Sequence, residues 1–286
     1  MKITVFCVRA FTFDGAGGNP AGVVLNAEKL SDARKQKVAA LAGFPETAFV
    51  EDDAECDVAV RFFTPTAEVD FCGHATVGAF TLLHQQGLLD RGTHTQKTKA
   101  GKLTVDIEPD GSVVMTQAPP KKLGTLEPHE VAPLLQLEAK AITSTHMPIE
   151  IVSTGLSDAI IPVARGMLDS IRPDFKAISA FCQKHHLIGF HVFELCEPEN
   201  TITASCRNFA PLYGIPEEAA TGSSCGALAY YLSTHISPAP TRYIFEQGRS
   251  MGSLSKITAS VTGSAPNITV QVGGAGAVME ARTFTI

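Results

Sequence analysis

The chain has 286 residues, of which 44% are hydrophobic and 18% are charged, and its formal net charge is −6. This acidic balance argues against nucleic acid or an anionic membrane as a partner. The length predicts two domains of ordinary size. No apolar run reaches membrane-spanning length, and the first residues alternate as a strand rather than as a signal peptide, so we expect a cytoplasmic protein.

The cysteines indicate free thiols. Seven of them lie at positions 7, 56, 72, 182, 196, 206 and 225, and none forms a C-x-x-C pair. An odd number at this spacing fits reduced thiols better than a disulfide framework.

The N-terminal elements lead to an isolated glutamate. Residues 3–9 alternate as a strand, and the glycine-rich segment 14–20 that follows lacks the spacing of a nucleotide-binding loop, which favours a plain turn or a small-molecule contact. Ser31 is placed as the N-cap of a helix that Gly43 ends. Glu46 then precedes an apolar strand. A glutamate usually points into water, so an outward loop position is the alternative to a functional role.

A second segment brings reactive groups to a helix start. A strand from Val58 to Pro65 is followed by Cys72, Gly73 and His74, which open a small-residue helix that extends to Gln86. Helix N-termini carry unpaired N–H groups and partial positive charge, so they can hold a carboxylate or a developing anion. We interpret this segment as half of an active site.

The same pattern recurs in the second half of the chain. An R-x-F-x-P sequence stands at 61–65 and again at 207–211, a displacement of 207 − 61 = 146 residues. The second copy leads to Glu218, Thr221, Gly222 and Ser223 at the start of another small-residue helix. The repeat predicts a pseudo-twofold α+β protein in which each half has a curved, mostly antiparallel sheet around a central helix.

The domain boundary is predicted at the proline- and lysine-rich segment 118–122. We expect one domain of residues 1–118, joined by the C-terminal strand 277–286, and a second domain of residues 119–276. With such pseudo-symmetry the two helix N-termini are expected to face each other across an interdomain cleft, a common place for small-molecule sites.

Taken in order, five segments resemble the PhzF-like isomerases of the phenazine-biosynthesis group: GNPAGVV at 18–24, ETAFV at 46–50, TPTAEVDFCGHAT at 64–76, RNFAPLYGIPEEAATGSS at 207–224 and EQGRSMG at 246–252. The set spans nearly the whole chain. The resemblance implies the diaminopimelate epimerase-like fold, with two pseudo-symmetric halves. It also implies isomerisation of a small carboxylate-bearing metabolite without metal, flavin or nucleotide, as the phenazine-pathway member does with a dihydro-hydroxyanthranilate.

The resemblance also implies roles for individual residues and a homodimer as the expected assembly. Glu46 is the general acid/base, and His74 and Glu218 flank the substrate. The residues expected to bind the substrate through hydrogen bonds, or to lie beside it, are Gly73, Gly222, Ser223 and Asn19.

One position departs from the family pattern. The family sequence E-D-P-A-T-G-S reads E-E-A-A-T-G-S here, so Glu218 and Ala219 replace an aspartate and a proline. The extra methylene moves the carboxylate by about one carbon–carbon bond, and loss of the proline loosens the turn. A different substrate and a lower activity on the same substrate both stay open.

Two other functions remain as alternatives. Racemases and epimerases of the same fold use a cysteine at each of two helix starts, and Cys72 matches the first of these. Ala219 stands in the place of the second, and Cys225 lies farther into the helix, so we interpret Cys72 as a buried small hydrophobe. The other alternative is a small-molecule binding protein without turnover.

Overall fold

The protein was analysed as a computed structural model that describes residues 1–236 and 242–286. The chain divides into two compact units: unit 1 is Met1–Met115 with Gly273–Ile286, and unit 2 is Thr116–Val272. None of the helices in the described ranges has the length and apolar character needed to cross a membrane.

The strands, in chain order, are β1 (Lys2–Ala10), β2 (Asn19–Val24), β3 (Thr47–Glu51), β4 (Val58–Phe63), β5 (Glu68–Val69), β6 (Gly92–Thr98), β7 (Gly101–Ile107), β8 (Val113–Thr116), β9 (Lys121–Leu126), β10 (Ile149–Ser153), β11 (Ser157–Pro162), β12 (Gly189–Leu195), β13 (Ala204–Ala210), β14 (Ile215–Glu218), β15 (Arg242–Gln247), β16 (Ser255–Ser264), β17 (Asn267–Gly274) and β18 (Gly276–Thr285). The α-helices are α1 (Asp32–Ala42), α2 (Gly73–Gln85), α3 (Pro128–Val131), α4 (Lys140–Thr143), α5 (Phe175–His185) and α6 (Gly222–His235).

Unit 1 is a mixed sheet built around helix α2. Its strands pair in the order β18, β1, β2, β3, β4, β6, β7, β8; the β2–β3 and β4–β6 pairs are parallel and the others antiparallel. Helices α1 and α2 connect the two parallel pairs, as parallel strands require. The side chains of α2 are buried from His74 to Leu83, and the helix packs on β1, β2, β3 and β18.

Unit 2 repeats this plan around helix α6. Its strands pair in the order β9, β10, β11, β12, β13, β15, β16, and the β11–β12 and β13–β15 pairs are again parallel. Helices α5 and α6 connect them, and α6 packs on β10, β11 and β16. The six pairs of unit 2 follow the same succession of parallel and antiparallel pairing as the first six pairs of unit 1, which confirms the predicted α+β fold of two similar halves.

A second layer covers unit 1 on the face opposite α2. Helix α1 begins after Ser31 and ends at Gly43, whose φ of 70° is the left-handed value that glycine tolerates best. Its buried face joins β1 and β3 in an apolar cluster that includes Val5, Val38 and Phe49. This packing fixes the end of α1, and therefore the loop that carries Glu46.

Candidate active site

The loop between α1 and β3 holds Glu46 in a defined place. Phe44 is buried in the apolar cluster of unit 1, and the Gly22 amide donates a hydrogen bond of 3.0 Å to the Glu46 carbonyl oxygen. These anchors place Glu46 directly before β3. Its side chain is 18% exposed and its Oε2 atom is buried. The outward loop position that residue type alone favours is therefore wrong.

Cys72 and His74 meet Glu46 at the start of α2. Cys72 is the N-cap residue in an extended conformation, and the Thr76 amide and hydroxyl both donate to its carbonyl oxygen, at 3.0 and 2.9 Å. His74 is 8% exposed; its Nδ1 lies 3.4 Å from Cys72 Sγ and its Nε2 lies 3.1 Å from Glu46 Oε2. The imidazole thus stands between the thiol and the carboxylate.

One carboxylate oxygen of Glu46, Oε2, lacks a well-aligned hydrogen-bond partner. Although Oε2 contacts His74 Nε2, it is a buried atom without a hydrogen-bond partner of acceptable geometry. A carboxylate oxygen in this situation has lost water without gaining aligned donors. It is therefore free to accept a proton or to bind a cation.

Burial and mutual contact shift the pKa values of the Cys72 thiol and the His74 imidazole. Burial raises the pKa of the Cys72 thiol by more than the neighbouring His74 lowers it. Burial opposes charge on His74, but the contacts with Cys72 and Glu46 outweigh it and raise the His74 pKa well above its usual value. Each shift favours the protonated form of the group concerned.

The first residues of α2 leave room for a ligand. No side chain caps the helix N-terminus, so its first amides depend on other acceptors. A Cβ atom added to Gly73 would meet only Met115 Cε, at 3.6 Å, within a radius of 4 Å. Apart from its neighbours in the chain and its own helix, packing around this position therefore does not require glycine.

A buried glutamine organises the corresponding turn in unit 2. Gln247 donates to the Glu218 carbonyl oxygen at 2.6 Å and to Thr221 Oγ1 at 3.0 Å, and it accepts from the Thr221 amide at 3.2 Å. The Thr221 hydroxyl in turn donates to Glu218 Oε2 at 2.7 Å. This network orients Glu218 immediately before α6.

The side chains behind the start of α6 are fully enclosed. Ser224 Oγ donates to Asp158 Oδ2 at 2.6 Å, and burial raises the pKa of this carboxyl to about 6. Cys225 is completely buried, and burial raises the pKa of its thiol far above the usual value. A racemase mechanism needs a second accessible acid, and Cys225 does not supply it.

The structure brings some of the predicted site residues together within each unit. In unit 1, Glu46 and His74 are in contact and Gly73 adjoins them; in unit 2, Glu218, Gly222 and Ser223 lie around the start of α6. Asn19 is buried at the start of β2. Their catalytic and binding roles stay predictions.

Sequence reasoning missed two residues near the start of α6. Gln247 stands within the quoted segment 246–252, but nothing local indicates that its side chain returns to Thr221. Asp158 carries no motif signal at all. Both contacts join segments far apart in the chain.

The sequence profile of phenazine biosynthesis-like proteins matches residues 8–282. An uncharacterized isomerase, YddE of Escherichia coli K12, is 34% identical over 274 residues, covering 92% of this chain and 91% of the relative. The trans-2,3-dihydro-3-hydroxyanthranilate isomerase of Pseudomonas chlororaphis is 30% identical, covering 98% of both chains. The crystal structure of a phenazine biosynthesis protein of the PhzF family from Bacillus anthracis superposes with a TM-score of 0.92 at 28% identity, covering 100% of both chains.

Proposed function

Because this chain belongs to the phenazine biosynthesis-like, or PhzF, family of isomerases, we propose that it moves a proton between two carbon atoms of a small carboxylate-bearing metabolite. Glu46 is the proposed acid/base, and no cofactor takes part. The observation that carries the proposal is the buried Glu46 Oε2, which lacks a hydrogen-bond partner and lies beside His74 at the open start of α2.

The proposed reaction has two proton transfers. Glu46 takes a proton from a carbon next to an unsaturated group, so the C–H bond breaks, an O–H bond forms and the electron pair passes into the conjugated system of the substrate. Glu46 then delivers a proton to a different carbon, and because a carboxyl proton exchanges with solvent, a reaction in deuterium oxide places deuterium at that carbon. One carboxyl group performs both steps when it is held within hydrogen-bond distance of both carbons.

The neighbouring groups support this chemistry. His74 Nε2 lies 3.1 Å from Glu46 Oε2 and holds the carboxyl group in place during the two transfers. The amides at the start of α2, Gly73 among them, have no side-chain cap and favour a substrate carboxylate or the negative charge that forms between the two steps. In the proposal Asn19, Gly222 and Ser223 bind the substrate, and Glu218 flanks it.

Two groups of carboxylic acids are the substrates to test. One relative is named for trans-2,3-dihydro-3-hydroxyanthranilate, which makes that acid the first probe. Glu218 replaces the aspartate of the family pattern and contacts Thr221 within its own turn. A second group of probes therefore consists of other cyclic acids with a double bond near the carboxylate.

Deuterium exchange tests the proposal. The protein is incubated with each acid in deuterium oxide, and incorporation at carbon is followed by NMR and mass spectrometry. Wild type is expected to exchange at least one acid that it binds, and Glu46→Gln is expected to lose at least about 100-fold in rate, since proton transfer by a positioned group contributes a factor of about 10² to 10⁴.

Glu55→Gln is the matched control, because Glu55 is exposed and follows β3, whereas Glu46 precedes this strand; its exchange rate is expected to equal that of wild type. Exchange that survives in Cys72→Ala excludes a racemase mechanism through that thiol. If wild type binds an acid and transfers no deuterium to it, the protein is a binding protein and the proposal is wrong.

A further inference from the structure

Three donor atoms of different chemistry converge where α2 begins. A thiol sulfur of Cys72, an imidazole nitrogen of His74 and a carboxylate oxygen of Glu46 all lie within 4.8 Å of one another. Sulfur, imidazole nitrogen and carboxylate oxygen are the ligand atoms that Zn²⁺ prefers. The proton transfer proposed above uses the carboxylate, but it does not require a thiol at this place.

The separations fit one ion. Tetrahedral zinc with bonds of about 2.3 Å to sulfur and about 2.0 Å to nitrogen and oxygen places its ligand atoms about 3.3 to 3.6 Å apart. The distance from His74 Nε2 is 3.9 Å to Cys72 Sγ and 3.1 Å to Glu46 Oε2. The third separation, between Cys72 Sγ and the Glu46 oxygen, is at most 4.8 Å, so side-chain rotations that shorten it place all three atoms on one tetrahedron.

The cluster also offers free coordination capacity and access. Glu46 Oε2 is buried without a hydrogen bond of acceptable geometry, so a cation that binds this oxygen replaces its 3.1 Å contact with His74 Nε2. The 18% exposure of the Glu46 side chain gives an ion a route from solvent. Three protein ligands leave a fourth position for water or for an anion. The thiolate and the carboxylate together carry the two negative charges that balance a divalent ion.

We propose that Cys72, His74 and Glu46 bind a thiophilic divalent cation of the zinc type, and that the bound ion inhibits the isomerase by occupying the Glu46 carboxylate. The inhibitory half of this proposal rests on the proposed function; the binding half does not. On binding, the ion displaces the thiol proton of Cys72 and the proton of His74 Nε2, and both protons pass to solvent.

Unit 2 contains a comparable pair without the third ligand. Cys225 Sγ lies 3.9 Å from His191 Nε2, and the Nδ1 atom of this histidine contacts Asn208 Oδ1 at 3.1 Å. All three residues are buried, and the group on the far side of the histidine is the amide oxygen of Asn208 rather than a carboxylate. Cys225 therefore provides the matched control for Cys72.

Cobalt titration tests the binding. The chelator-treated protein is titrated with Co²⁺ and then with Zn²⁺, without substrate. One equivalent of Co²⁺ is expected to give the sulfur-to-cobalt charge-transfer absorption of a thiolate ligand, and Zn²⁺ is expected to abolish it. Cys72→Ser should lose the band. Glu46→Gln should keep the band but bind at least about tenfold more weakly, because even outer-shell changes cost that much. Cys225→Ser should behave as wild type.

Absence of the band in wild type, or its persistence in Cys72→Ser, overturns the proposal. Because Glu46→Gln is nearly isosteric, an affinity equal to that of wild type overturns the carboxylate ligand even if Cys72→Ser does not fold. Where exchange is measurable, Zn²⁺ is expected to abolish it and a chelator to restore it; exchange that continues at saturating Zn²⁺ overturns the inhibitory half. A protein that binds Co²⁺ but exchanges no acid contradicts only the proposed function.

Discussion

Glu218 shows how one side chain adapts to a changed turn. The family pattern has an aspartate followed by a proline here, and the proline restricts the backbone directly. In this chain the longer carboxylate accepts a hydrogen bond from Thr221, three residues on, and Gln247 fastens the main chain of both residues. The side-chain network therefore constrains a turn that Ala219 leaves free.

Replacing Gln247 should lower the free energy of unfolding, because its side chain holds two main-chain groups of this turn. Gln247→Leu leaves the partly buried Thr221 amide and Glu218 carbonyl without these partners beside a buried side chain, and each group left unpaired is expected to cost about 1 kcal/mol or more. Urea unfolding followed by circular dichroism measures the loss. Gln36→Leu is the control, since Gln36 makes one side-chain hydrogen bond, to the Thr64 carbonyl oxygen, at a partly buried place. Equal losses in the two variants would contradict the network.

At the scale of elements, the repeated R-x-F-x-P sequence has the same structural role in both units. Arg61 lies over the Phe63 ring at 5.3 Å and donates to Glu68 at 2.8 Å, joining β4 to β5. Arg207 lies over Phe209 at 5.0 Å and donates twice to Glu217, joining β13 to β14. Each arginine thus stabilises the hairpin that precedes a central helix.

The two arginines should differ in their contribution to stability. The Arg207 side chain is 9% exposed and also donates to the Ile171 carbonyl oxygen. Arg207→Ala leaves the Glu217 carboxylate, which is 15% exposed, with the Ser250 hydroxyl as a remaining donor and is expected to cost about 3 kcal/mol. The Arg61 side chain is 27% exposed, and Arg61→Ala is expected to cost about 1 kcal/mol or less. Urea unfolding of both variants compares these losses. A larger loss for Arg61→Ala would contradict the argument.

At the scale of the whole molecule, what the sequence could predict follows the range of the contacts involved. The two halves were predictable because the arginine, phenylalanine and proline act locally and occur twice. Cys72, Gly73 and His74 were predictable because a helix start is a local feature. The contact between Thr221 and Gln247 joins residues 26 apart, and that between Asp158 and Ser224 joins residues 66 apart. Such contacts form only when the sheet is assembled, so no periodic pattern in the sequence predicts them.

The buried Asp158 should impose a pH dependence on the stability of the fold. Burial, opposed by the Ser224 hydrogen bond and aided by Glu218, raises its pKa from 3.8 to about 6. The folded protein therefore binds more protons than the unfolded chain between about pH 4 and pH 6, so the free energy of unfolding falls as pH rises through this range, by about 3 kcal/mol from this group. Asp158→Asn removes the contribution.

Urea unfolding at a series of fixed pH values measures the contribution of Asp158 to stability. The stability of Asp158→Asn relative to wild type is expected to rise between pH 4 and pH 7, because only wild type must bury a carboxylate at the higher pH. Ser224→Ala keeps the carboxyl group but loses the hydrogen bond that favours its ionised form, so its decline should extend to higher pH. A constant difference between wild type and Asp158→Asn from pH 4 to pH 7 would show that Asp158 titrates alike in the folded and unfolded chains.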